Sequence, residues 1–196
     1  MKYLIGLGNP GKEYDGTRHN IGRMCLTELA AAGEFSAFEH HKPSQSLRAR
    51  GTNGGELVEL VLPETFMNKS GETVKFLIEK EGAAVTDILV LHDEIDVPFG
   101  ELKVSVGRGD GGNNGIKSII AQLGTKDFAR LRIGVGSKPL LGAKARRPAG
   151  AALERFVLGK FSLFERPKLP ALYKTVQEAT ETFVRDGVTK AMNRYN

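Results

Sequence analysis

The 196-residue sequence predicts an α/β protein built as a single domain, and three stretches carry that prediction. Residues 3–7 form an apolar run short enough for a buried strand, Gly8-Asn9-Pro10-Gly11 break it with a tight turn, and an apolar-periodic segment over 21–32 follows as a helix. Residues 87–91, Asp-Ile-Leu-Val-Leu, are nearly continuously apolar and read as a central strand. Residues 46–50 and 56–62 flank Thr52-Asn53-Gly54-Gly55, the composition of a hairpin turn, which adds an antiparallel pair to the sheet.

The remaining elements follow in chain order. Residues 33–45, with His40, His41 and Pro43, read as a solvated loop; adjacent histidines point to different faces, and no further ligand pattern accompanies them. Ser70 is placed to cap a helix running to about Lys80. Phe66, Met67 and Asn68 then lie on the loop feeding that helix. Phe66 and Met67 read either as core residues under the loop, the commoner fate of such side chains, or as an apolar floor beside the Asn68 amide. Residues 102–106 give a short strand, residues 107–115 a glycine-rich loop, and 116–123 a helix. Residues 128–135, with Arg130 and Arg132 alternating, form a strand with one basic face, and the chain from Ala151 is mainly helical, with 169–185 at clear helical spacing.

Composition bounds the function. With 40% hydrophobic residues the chain can bury a substantial core. No apolar run approaches the roughly 20 residues that span a bilayer, and the N-terminus carries neither a basic leader nor a small-residue cleavage site, so a cytoplasmic protein without a membrane partner is expected. Cys25 is the only cysteine and falls among apolar helical positions, as a core residue does. The net charge of +5 points to an acidic partner. Lys138, Lys144, Arg146 and Arg147 cluster in an acid-free stretch over 137–150, which suits either a nucleic-acid backbone contact or a solubilising loop.

The chemistry gathers at two strand ends. Tyr14, Thr17, Arg18, His19 and Asn20 follow the first turn, and in open α/β sheets ligands bind outside the carboxyl ends of strands. The second strand ends in His92-Asp93-Glu94-Ile95-Asp96. If the two strands are parallel, a carboxylate from this cluster reaches His19 and orients its imidazole. A divalent-metal site from His92, Asp93 and Asp96, or a plain polar strand end, are the competing readings. Gly6, Gly8 and Gly11 also spell a dinucleotide fingerprint, but Lys12-Glu13-Tyr14-Asp15-Gly16 do not read as the core-packed helix that motif requires.

GLGNPGKEYDGTRHN, ETFMNKSG, LVLHDEIDVPFG, GGNNGIKSI and RLRIGVG, in this order, resemble the bacterial type of peptidyl-tRNA hydrolase from Leu4 to the C-terminal helices. The resemblance implies a twisted mixed β-sheet with helices on both sides, usually monomeric. It implies cleavage of the ester joining a stranded peptide to the 3′ end of tRNA, with no metal or organic cofactor. Transferred by position, His19 is the general base and Asp93 the carboxylate that orients it. Asn9, Asn68 and Asn114 contact the substrate, with Tyr14 and Phe66 lining the cleft. Arg132 corresponds to one member of a basic clamp on the 5′ phosphate of the tRNA. The family's usual second member is a lysine where this chain has Ser105, with Lys103 or Arg108 as substitutes. The chain departs again at Asn113, where the family usually has histidine. These two departures motivate the alternative of a peptidyl-tRNA or RNA-binding module with weakened catalysis; a nucleotide-dependent oxidoreductase ranks last.

Overall fold

The computed structural model describes residues 1–137 and 148–196. In chain order the elements are β1 (Lys2–Gly6), α1 (Ile21–Ala32), β2 (Glu39–His41), β3 (Ser46–Asn53), β4 (Glu56–Pro63), α2 (Ser70–Glu81), β5 (Ile88–Pro98), β6 (Leu102–Ser105), α3 (Asn114–Leu123), β7 (Ala129–Gly136), α4 (Ala151–Val157), α5 (Leu169–Asp186) and α6 (Val188–Tyr195). The strands make one seven-stranded mixed sheet in the order β2-β3-β4-β1-β5-β7-β6. Its centre is parallel: β1 pairs with both β4 and β5, and β5 with β7. Both flanks are antiparallel, β2-β3-β4 on one side and β6 against β7 on the other.

The period-2 alternation of the central strands divides the core into two layers. Leu4, Leu89, Leu91 and Leu131 pack on one face with Leu26 and Leu29 of α1 and Leu172, Val176 and Phe183 of α5. Ile5, Leu7, Ile88 and Val90 pack on the other with Val74 and Leu77 of α2 and Ile116 and Ile119 of α3. Helices therefore cover both faces, as the central apolar strands require. Cys25 is buried in the first layer, where desolvation pushes its thiol pKa upward. Gly22 explains how α1 comes so close: a Cβ there would lie 2.2 Å from the Leu91 carbonyl oxygen.

Four expectations are corrected. The segment expected as a loop over 33–45 contains β2, a three-residue edge strand whose polar sequence gives no alternation to read. Ser70 is the first residue of α2 rather than its cap; its hydroxyl donates to the Met67 carbonyl at 3.0 Å. The basic face of β7 is half internal, because Arg130 is buried and donates to the carbonyls of Gly109 and Arg108 at 2.7 and 2.6 Å. Burial pushes the Arg130 pKa down to about 10, with the neighbouring Arg132 charge adding to the effect. Finally, β5 does not stop at Leu91 but carries the acidic cluster to Pro98 within the strand. Lys138, Lys144, Arg146 and Arg147 lie outside the described residues.

Candidate active site

The parallel pairing of β1 and β5 points both strands toward the same edge of the sheet. Beyond β1 the backbone turns through Gly8–Gly11 and reaches a 3-10 turn, Arg18–Asn20, that delivers His19. Asp93 arrives on β5, on the α1-covered face that Leu89 and Leu91 also use. Its Oδ1 lies 2.8 Å from His19 Nδ1. The carboxylate accepts, so Nδ1 carries the hydrogen and Nε2 is left as the basic lone pair. Burial works against the imidazolium, but the charge of Asp93 and its hydrogen bond outweigh it and hold the His19 pKa above its ordinary value.

The dyad sits in an open cleft of about 590 Å³, a size that suits a small-molecule-sized group. Asn9, Tyr14, Phe66, Asn68 and Asn114 all line it, so separate parts of the chain converge on His19 and Asp93. Asn9 is built in on two sides. Its backbone N–H donates to Asn20 Oδ1 at 2.9 Å, Asn20 Nδ2 donates back to its carbonyl at 2.9 Å, and its Oδ1 accepts from the Met67 N–H at 2.8 Å. With Oδ1 occupied, what Asn9 offers a substrate is its Nδ2 donors. The structure also separates the two residues left ambiguous in the sequence: Met67 is 4% exposed and closes the core, whereas Phe66 is 57% exposed and forms the cleft surface.

Asn113 has a place that sequence reasoning missed. It caps α3, its Oδ1 accepting from the backbone N–H groups of Gly115 and Ile116 at 3.0 and 3.1 Å. Its Nδ2 donates to Asp93 Oδ1 at 2.8 Å, so one oxygen of Asp93 serves both His19 and Asn113. Asn20 was likewise read only as part of a polar group; its reciprocal bonding to Asn9 has no signature beyond the proximity of the two motifs.

Lys103 and Arg132 do not line this cleft. They are directly opposed across the β6–β7 ladder, on one face of the sheet. Arg132 Nε donates to Glu94 Oε2 at 3.0 Å, and Glu94, buried beside Asp93, does line the cleft. Ser105 is buried opposite Arg130, its hydroxyl without a partner among the described residues. His92 is buried as well; its Nδ1 donates to the Asp93 carbonyl at 2.8 Å, and desolvation lowers its pKa. Among the described residues no three His, Cys, Asp or Glu side chains converge as a metal cage would need, so His92, Asp93 and Asp96 do not form one.

An imidazole oriented by a carboxylate and ringed by amide donors, at the carboxyl edge of an α/β sheet, is the equipment of a hydrolase. Comparison with known proteins specifies which. The peptidyl-tRNA hydrolase family pattern matches residues 3–196. The peptidyl-tRNA hydrolase of Syntrophotalea carbinolica is 39% identical over 197 residues, covering 100% of this chain and 97% of that protein. That of Mycobacterium tuberculosis is 38% identical over 191 residues, covering 97% and 95%. The crystal structure of peptidyl-tRNA hydrolase from Acinetobacter baumannii superposes with a TM-score of 0.85 at 33% identity, covering 100% of this chain and 94% of that one. The chain belongs to the peptidyl-tRNA hydrolase family.

Proposed function

We propose that this protein hydrolyses the ester between a peptide and the 3′ end of tRNA by a water attack in which His19 is the base. The His19–Asp93 pair at 2.8 Å, inside the one cleft that the family's asparagines share, carries the reading. Asp93 fixes the imidazole so that Nε2 accepts a proton from water as the water oxygen bonds to the ester carbonyl carbon. The tetrahedral oxyanion is met by amide donors from Asn68 and Asn114, which need no change of protonation to act. Collapse breaks the bond to the ribose oxygen, and the proton on Nε2 passes to that leaving oxygen. An alkoxide leaves more readily than an amine, so a single base of modest pKa suffices.

Asn9 donates to the substrate near the scissile ester, and Tyr14 and Phe66 supply surface for the terminal nucleotide. Lys103 and Arg132 engage a phosphate of the tRNA; Arg132 Nε is held by Glu94, and a planar guanidinium presents further donors suited to an oxyanion. The protein acts in the cytoplasm as a monomer. A binding module that has lost catalysis is disfavoured by the presence of Asn9, His19, Asn68, Asp93 and Asn114 together in the cleft. The test is release of free tRNA from an N-acetylated aminoacyl-tRNA by wild type and by His19→Ala. Multiple turnovers are expected from wild type. At least a 100-fold loss is expected in the variant, with tRNA binding retained, as removal of a general base gives. Near-wild-type turnover by His19→Ala overturns the assignment of the base.

A further inference from the structure

One wall of the cleft comes from α4 and the residue after it: Leu153, Glu154, Val157 and Leu158 line the site. Yet α4 buries none of its side chains fully, so burial alone does not anchor it. What holds it runs through the residue immediately before the base. We propose that Arg18 is a positioning residue that fixes the α4 wall to the turn carrying His19 and so sets the width of the cleft; the inference rests on the hydrolase reading above.

Five contacts converge on this one side chain, which is only 12% exposed. The guanidinium carbon lies 4.6 Å from the centroid of the Phe156 ring on α4 and 5.4 Å from that of Phe161. Nη1 donates to the Lys160 carbonyl at 2.8 Å and more weakly to that of Gly159 at 3.3 Å, both in the segment leaving α4. Nη2 donates to Glu165 Oε2 at 2.7 Å. The backbone repeats the attachment, with the Arg18 N–H on the Gly159 carbonyl at 3.0 Å and Thr17 bridged to Lys160. Glu165 is itself pinned, accepting from the Ser162 N–H at 2.7 Å while its own N–H donates to Ser162 Oγ at 3.3 Å. Arg18 thus joins a rigid turn, a helix and the base-bearing segment.

Stability alone does not account for an arginine here. Its buried Nε has no partner among the described residues, and a buried ionic group is commonly replaced by an apolar one of similar size at little cost. What an apolar side chain cannot do is point donors in two directions while stacking on a ring, and lysine offers a point charge rather than a planar fork. The geometry is therefore specified where the energy is not.

Arg18→Met and Arg18→Lys test this against wild type with N-acetylated aminoacyl-tRNA. Expected is a rise in KM of about 10-fold, the scale of a lost charge-assisted hydrogen bond. The kcat should stay within about threefold, and the acid limb of its pH profile should not move, because His19 and Asp93 are untouched. Hydrogen exchange should accelerate at amides 151–158 and not at 21–32. Low millimolar guanidinium should restore KM in Arg18→Met, while sodium at equal ionic strength should not. An unchanged KM overturns the proposal, and so does a fall in kcat with a shifted acid limb, which would mean that Arg18 acts on the charge of His19. Should Arg18→Met fail to fold, Glu165→Gln removes a single limb; a smaller KM rise supports the proposal and an unchanged KM overturns it. The exchange measurement needs no turnover, so an inactive wild type would count against the hydrolase reading while slow exchange at 151–158 in Arg18→Met would count against the wall.

Discussion

His19 and Asp93 carry opposite demands that the pH profile should expose. As the proposed base His19 must act as a neutral imidazole, yet the Asp93 charge and hydrogen bond hold its pKa above the ordinary value of about 6.5. Activity should therefore fall, with unit slope, as pH drops through a value above about 6.5. Asp93→Asn removes what raises the pKa and leaves the burial that lowers it, so the acid limb should move to lower pH while plateau kcat/KM falls by about 100-fold or more. An unmoved limb would show that the pair does not titrate as a unit. Asn113 gives the second test at this scale. Asn113→Asp keeps the helix cap but replaces the Asp93 donor with a second carboxylate. The acid limb should then shift upward and kcat/KM fall; an unshifted limb would detach Asn113 from the dyad. Asn113→His, restoring the family's usual residue, should equal or exceed wild-type turnover. The dyad was legible in part: an apolar strand ending in acids stands out beside His19, but only the family resemblance singled out Asp93 within that cluster. The double duty of Asn113 was not, because its bond to Asp93 spans 20 residues and its identity read only as a departure.

Elements were legible where a periodic pattern met a turn residue. The β3–β4 hairpin announced itself through Asn53-Gly54-Gly55, and both glycines adopt positive φ, 60° and 82°, as such a two-residue turn requires. Continuous apolar runs marked β1 and β5 as buried strands, whereas their parallel pairing stood only as a condition in the sequence. The edge strand β2 was not legible, being three polar residues whose pairing to β3 is decided by the backbone of its neighbour. Nor was the register by which β5 stays in the sheet past Asp93, paired with β7 through Glu94, since acidic residues read as a strand end. The glycines of the first motif had looked like a nucleotide fingerprint; Gly22, outside that motif, decides the packing instead. A Cβ at this position meets the Leu91 carbonyl 2.2 Å away and the Leu7 nitrogen at 2.9 Å, both backbone atoms that cannot rotate aside. Gly22→Ala should therefore lift α1 off the sheet and cost about 3 kcal/mol or more by chemical denaturation. It should also reduce activity, because α1 begins one residue after Asn20. A loss below about 1 kcal/mol would show that α1 shifts freely, against the close packing described here.

At the scale of the molecule, the site exists because β1 and β5 run parallel beside each other and return their loops to one edge, where the α2 and α3 entry loops meet them. The residues proposed to contact phosphate lie elsewhere, one further strand pairing toward the β6 edge. Arg132 is joined to the cleft through the Glu94 carboxylate, and Lys103 lies opposite Arg132 on β6. Chemistry and substrate grip thus separate in space, and they should separate in measurement. Each phosphate neutralised contributes about one unit to the slope of log affinity against log salt. Lys103→Gln with Arg132→Gln should therefore raise KM for full-length substrate, flatten its salt dependence by about one to two units, and leave kcat within about threefold. The same pair of substitutions should not change hydrolysis of an N-acylaminoacyl ester of adenosine, which lacks the phosphates further along the tRNA. An unaltered salt slope would remove Lys103 and Arg132 from the tRNA contact. Equal losses on both substrates would instead place the effect in the cleft, transmitted from Arg132 through Glu94 to Asp93.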